Sequence, residues 1–215
     1  MNAKHLFPRM PAEWEPHAAT WLAWPRDDSD WPGRLPVIEE VYTKIVRALG
    51  EGKEHIQILV HDEEVKERAF SALGQAGLLS ARCQLHPAAN NRSWLRDSGP
   101  TAVVKAGGSL AWVQWEFNAW ARHKNYADDQ QVPAAVAALT GMELEQAFRP
   151  DNGERLVLEG GAIDTDGEGT LLVTEECLLA KTQQRNAGLT REHYEQAFAQ
   201  YLGIAKTIWL SGGIA

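Results

Sequence analysis

Cysteine is scarce in this chain: Cys83 and Cys177 are the only two. That is too few for a disulfide framework and points to a reducing compartment. Positive charge is also in short supply, with 21 Lys and Arg against 29 Asp and Glu and a formal charge of −8. A nucleic-acid binder would normally show a basic patch, so that class is excluded. No stretch approaches the roughly 18 apolar residues of a membrane span. The opening MNAKHLFPRM has no apolar run long enough for a signal peptide. A cytoplasmic protein with no membrane partner is therefore expected. The sequence also lacks G-x-S-x-G, a P-loop and G-x-G-x-x-G. Its seven histidines, at 5, 17, 55, 61, 86, 123 and 193, show no paired metal-ligand spacing.

What is present is ordinary in bulk and patterned in detail. The 215 residues are 44% hydrophobic and 23% charged, enough for one good-sized domain with a real core. Nine tryptophans are many for this length, and most suit a core rich in large rings. From residue 101 the pattern alternates β-type runs with helical ones. TAVVKAGG leads into SLAWVQWEF across a Gly-Gly-Ser turn, then come the helical DDQQVPAAVAALTG and the strand-like ELEQAFR. About 60 residues later the order recurs: VLEGGAIDTDGEG, TLLVTEECLLA, the helix LTREHYEQAFAQYLG and the strand KTIWL. Thr190 suits the N-cap of that helix and Gly203 its stop. A shared β-β-α-β order at a fixed period indicates supersecondary units packed side by side. The first hundred residues hold a looser version, with strands at TWLAWP, HIQILV and RCQLHP and helices at VIEEVYTKIVRALG and DEEVKERAFSALGQAG.

Two acids fall at matching places in the repeat. Asp97, in NNRSWLRDSGP, sits just ahead of the first hairpin, and Glu159, in LEGG, sits 62 positions later at the start of the second. If the units are related by rotation about an axis, both carboxylates point to a common centre. There each could accept a pair of N–H bonds from a planar guanidinium. Trp94 could stack on the flat face of that cation, a contact worth about 0.5–2 kcal/mol. The mild acidic excess suits such a small cationic substrate. The bland alternative is a turn aspartate bonded to its own backbone and a solvated glutamate. DTDGEGTLLVTE, residues 164–175, has partial calcium-loop spacing, but strand-like flanks favour a tight acidic hairpin turn over a metal site. Cys177 follows two glutamates, which oppose thiolate formation, and Cys83 lies in a strand-like run as a small core residue.

Four blocks carry a resemblance to a known family: PAEWEPHAATWLAWP at 11–25, NNRSWLRDSGP at 90–100, WEFNAW at 115–120 and LEGGAIDTDGEGTLLVTEECLL at 158–179. In matching order through the whole chain, they resemble the agmatine deiminase family, which includes the bacterial peptidylarginine deiminases. The resemblance implies an α/β fold, the pentein α/β-propeller, with five ββαβ units around a pseudo-fivefold axis and a central active site. It implies hydrolysis of a guanidinium (agmatine to N-carbamoylputrescine, or free or peptidyl arginine to citrulline) with release of ammonia. A cysteine thiolate attacks the guanidinium carbon to give a covalent thiouronium, and a histidine handles the protons. No metal or organic cofactor is implied. By position, Asp97 matches the family's guanidinium-binding aspartate and counts as catalytic. Trp94 matches the tryptophan that packs on substrate, and Glu159 the acid of the LEGG block. Asn118 and Trp120 fall in a matching block without an implied role.

The chain departs from the family at its end. The family's His-x-Asp motif follows the segment matching WLSGGIA, and its nucleophilic cysteine lies beyond a later glycine run. Neither occurs in this sequence. At about 60 residues per unit, five units need roughly 300 residues. The expectation is a single partial pentein domain over 1–215, holding about three of the five units. Such a chain is expected to be inactive alone, to bind guanidinium compounds at most, and to self-associate through its exposed unit faces.

Overall fold

The computed structural model describes residues 8–52, 54–182 and 184–213. His5 and the last two residues of SGGIA lie outside them. The described chain divides into two compact units: one takes in 16–95 and 125–132, the other the remainder.

In the first unit, strands β1 (Ala19–Ala23), β2 (His55–Val60) and β3 (Cys83–Pro87) form a sheet in that order, parallel throughout. Parallel neighbours need crossover connections, and helices α1 (Leu35–Gly50) and α2 (Glu63–Gln75) supply them. In α1, Leu35, Ile38, Tyr42, Val46 and Leu49 recur at spacings of three and four, the period of one helical face, and all are withdrawn from solvent. The Asp62 side chain caps α2, accepting the Val65 N–H at 2.9 Å. Ile58, Leu59 and Val60 of β2 are fully buried, which explains why HIQILV is an unbroken apolar run rather than an alternating one. Cys83 joins Trp24, Ile56, Ile58 and Leu73 in this core, as its place in a strand suggested.

In the second unit the order β-β-α-β occurs twice. A one-turn helix, α3 (Leu95–Ser98), precedes β4 (Thr101–Val104), which pairs antiparallel with β5 (Leu110–Gln114). Helix α4 (Val132–Thr140) then leads to β6 (Glu143–Gln146), parallel to β5. The second copy pairs β7 (Asp164–Thr165) antiparallel with β8 (Thr170–Thr174), and α6 (Arg191–Leu202) leads to β9 (Lys206–Leu210), parallel to β8. Between them lies α5 (Glu175–Leu178), a correction to the sequence reading: TLLVTEECLLA is not one strand. The Thr174 hydroxyl accepts the Cys177 N–H at 3.2 Å and turns the chain into a helix there. Val103, Ala111, Val113, Leu171 and Val173 bury alternate strand positions against Tyr194, Ala197, Phe198 and Tyr201 of α6. Thr190 and Gly203 bound α6 as expected, with Gly203 left-handed at φ 70°.

The acidic turn between β7 and β8 is a hairpin turn. Asp166 Oδ1 accepts the N–H groups of Glu168 at 2.8 Å and Thr170 at 2.9 Å. Among the described residues no group of three or more His, Cys, Asp or Glu side chains could hold a metal ion. No helix among them is long and apolar enough to cross a membrane.

Candidate functional site

Asp97 stands on α3, and its neighbour in sequence is not its partner. Arg96 turns away, its Nη1 paired with Glu13 and its Nε donating to the Gly160 carbonyl at 3.1 Å. Asp97 Oδ1 instead accepts the Gly161 N–H at 3.2 Å, and the Trp120 side chain hydrogen-bonds the same carboxylate. The turn bearing Asp97 thus lies directly on the turn Gly160–Ala162 that follows Glu159.

The two glycines of LEGG permit this approach. A Cβ on Gly160 would overlap the Arg96 carbonyl oxygen, and one on Gly161 would overlap Asp97 Oδ1. Neither glycine has a positive φ. The requirement is proximity, not an unusual backbone.

Trp120 is delivered by strain. Ala119, Trp120 and Ala121 all have left-handed backbones, at φ 51°, 59° and 56°. Each costs about 1–2 kcal/mol relative to the right-handed form. Asn118 Oδ1 accepts the Ala121 N–H at 3.0 Å and holds the turn, while the Phe117 ring packs edge-on against Trp120 at 5.4 Å. Such concentrated strain is characteristic of functional sites. This gives Asn118 and Trp120 the structural roles that sequence reading could not assign.

Glu159 is buried, only 2% exposed. Its Oε1 accepts from Arg185 Nε at 2.7 Å, and Oε2, also buried, has no hydrogen-bond partner among the described residues. Burial pushes its carboxyl above the usual carboxylate range. The Arg185 guanidinium opposes that shift and the Asp97 charge adds to it. Asp97 is likewise pushed up, chiefly by burial, against the pull of Trp120, the Gly161 N–H and the positive charges of Arg96 and Arg185. Asp97 is therefore near enough for its charge to oppose the ionisation of Glu159, an arrangement that an added cation would relieve.

Behind them the next residue along from Arg185 pins the backbone. Asn186 Oδ1 accepts the Val157 N–H at 3.0 Å, and its Nδ2 donates to the Val157 carbonyl at 2.7 Å and to Tyr194 Oη at 2.9 Å. Burial holds the Tyr194 phenol up at about 12, so it stays protonated and donates to the Leu178 carbonyl. Nothing in the string QQRNAG marked Arg185 or Asn186 beforehand.

Cys177, on α5, shares this electrostatic neighbourhood. Burial raises its thiol first; Glu159, Asp97 and Glu176 raise it further, while Arg185 lowers it. The direction agrees with the sequence reading, though burial leads. Cys83 is also pushed up by burial. A cleft of about 500 Å³ is lined by Glu13, Arg96, Gly161, Thr174, Cys177 and Leu210, but by neither Asp97 nor Glu159. Trp94 belongs to the other compact unit, where it is 40% exposed and its ring centroid lies 5.5 Å from that of Trp31.

The model of the Porphyromonas-type peptidyl-arginine deiminase family matches residues 9–215. An agmatine deiminase of Stutzerimonas stutzeri is 33% identical over 207 residues, which are 95% of this chain and 53% of that protein. The chain thus spans about half the length of the curated relatives it matches. Among solved structures, the agmatine deiminase of Enterococcus faecalis catalysing its reaction superposes with a TM-score of 0.80 at 31% identity, over 96% of this chain and 53% of that one. The C. jejuni C315S agmatine deiminase with substrate bound has the same fold, with a TM-score of 0.81 at 23% identity over 97% of this chain and 57% of that one.

Proposed function

Because the chain belongs to the Porphyromonas-type peptidyl-arginine deiminase family, we propose that Asp97 and Glu159 form the carboxylate side of a guanidinium site in an agmatine deiminase-type hydrolase. The observation that carries the reading is the pair itself. Two acids sit mostly out of water, the charge of Asp97 opposes the ionisation of Glu159, and Glu159 keeps a buried oxygen with no hydrogen-bond partner among the described residues. A guanidinium carries five N–H donors in a planar fork and one positive charge, so it meets both needs. Asp97, presented by Trp120 and Gly161, is the group assigned to hold the reacting guanidinium; Glu159 is assigned to a second edge of it.

The overall reaction for such a site is guanidinium plus water to a ureido group plus ammonia, with agmatine or an arginine as substrate. In this reading the doubled ββαβ order and the all-parallel first unit are three of five units of a pentein propeller, forming one partial domain. The raised thiols favour a second reading, that these 215 residues bind a guanidinium without turning it over, because a neutral thiol is a poor nucleophile. Calorimetric titration with agmatine, beside an assay for released ammonia, separates the two. Binding without ammonia is expected. Turnover that survives Cys83→Ala but is lost in Cys177→Ala would overturn the second reading, and no binding at all would overturn the first.

A further inference from the structure

We infer that Arg185 is a positioning residue for Glu159: through its Nε bond to Oε1 it fixes the carboxylate so that Oε2 is the edge offered to a guanidinium. The inference rests on the guanidinium-site reading and deepens it.

The geometry leaves Arg185 little freedom. Its side chain is 7% exposed and that of Glu159 2%, and the 2.7 Å contact between them is a charge-assisted hydrogen bond. The two are 26 residues apart in sequence, so the contact is tertiary. Asn186 clamps both backbone polar groups of Val157, so consecutive residues of one loop hold the glutamate's side chain and the backbone two residues ahead of it. A surface ion pair has no such scaffold. Arg185 satisfies one carboxylate oxygen and leaves the other, Oε2, without a hydrogen-bond partner among the described residues. An uncompensated buried oxygen destabilises the fold, and a ligand donor is the partner that would remove that penalty.

Two jobs are combined in Arg185. Its charge favours the ionised form of a carboxylate that burial and Asp97 both push toward neutrality. Its Nε–H, fixed in the guanidinium plane, sets the direction of that carboxylate. Lysine could supply the first but not the second, being a point charge on a flexible stem.

The test uses the full chain with 13C-labelled carboxyls, agmatine as the probe, and the variants Arg185→Met, Arg185→Lys, Glu159→Gln and the Glu159→Gln/Arg185→Met double. Agmatine is expected to shift the Asp97 and Glu159 carboxyl resonances of the wild type. Arg185→Met should raise the titration midpoint of Glu159 and weaken agmatine about 10-fold or more. The double variant should bind no worse than Glu159→Gln, since Arg185 acts through Glu159. Arg185→Lys should keep the Glu159 midpoint near that of the wild type yet still lose affinity, and it remains readable if Arg185→Met does not fold. An unchanged affinity in Arg185→Lys, or an equal loss from Arg185→Met with and without Glu159, would overturn the inference. Agmatine that moves neither carboxyl in the wild type would instead sink the site reading, and the role of Arg185 with it.

Discussion

An alanine at position 161 would drive its Cβ into Asp97 Oδ1, with Asp97 Cγ only 3.4 Å away. The obstruction is the end of a side chain, so the carboxylate can rotate out of the way. Rotation breaks the 3.2 Å bond from the Gly161 N–H and turns Asp97 from the direction in which Trp120 holds it. The fold therefore loses little, within the roughly 1–3 kcal/mol typical of overpacking, or about 2–4 °C in melting temperature per kcal/mol. Guanidinium binding loses one well-aimed charge-assisted bond, about 1.5–3 kcal/mol, which converts to roughly 10- to 150-fold in affinity. Gly160→Ala is the contrast, because its Cβ would strike the Arg96 carbonyl, a backbone atom that cannot rotate aside. Its effect should fall mainly on stability. Calorimetric titration with agmatine and thermal melts of both variants test the argument. A Gly161→Ala protein that binds agmatine as the wild type does would refute it.

Trp120→Phe keeps the packing on Phe117 but removes the donor to Asp97; the Asp97 carboxyl should titrate higher still and agmatine bind more weakly, by NMR titration. Asp97→Asn is expected to melt at or above the wild-type temperature at pH 7 while losing agmatine. A carboxyl raised in the folded state contributes stability that is present below its unfolded value and lost as pH rises through the folded one, so its ionised form burdens the fold at neutral pH. For the same reason agmatine affinity should fall on acidification earlier than ordinary carboxylates would require, as Asp97 and Glu159 protonate. Leu172, Ile208 and Leu210 of β8 and β9 are more than a third exposed, and size-exclusion chromatography should show self-association. A monodisperse monomer would contradict that expectation.

Periodicity made much of this fold legible. The repeated β-β-α-β order, the cap at Thr190 and the stop at Gly203 could all be read because local chemistry decides them. EECLLA was misread by extending the β-rich TLLVT through it, although Glu, Leu and Ala favour a helix and the Thr174 hydroxyl, bonded to the Cys177 N–H, starts one there. At the site, Asp97 and Glu159 stood out by their matching places in the repeat. Their partners did not. The left-handed turn at Ala119–Ala121 has no glycine to announce it and exists only because Asn118 and the surrounding packing impose it. Arg185 reaches Glu159 across 26 residues, a tertiary contact that no local pattern encodes.

A crystal structure of the chain with agmatine bound addresses the central claim most directly. The account expects guanidinium nitrogens within about 2.7–3.2 Å of an Asp97 carboxylate oxygen and of Glu159 Oε2, with Arg185 still on Oε1. Agmatine bound elsewhere, with Oε2 of Glu159 left without a partner, would contradict it.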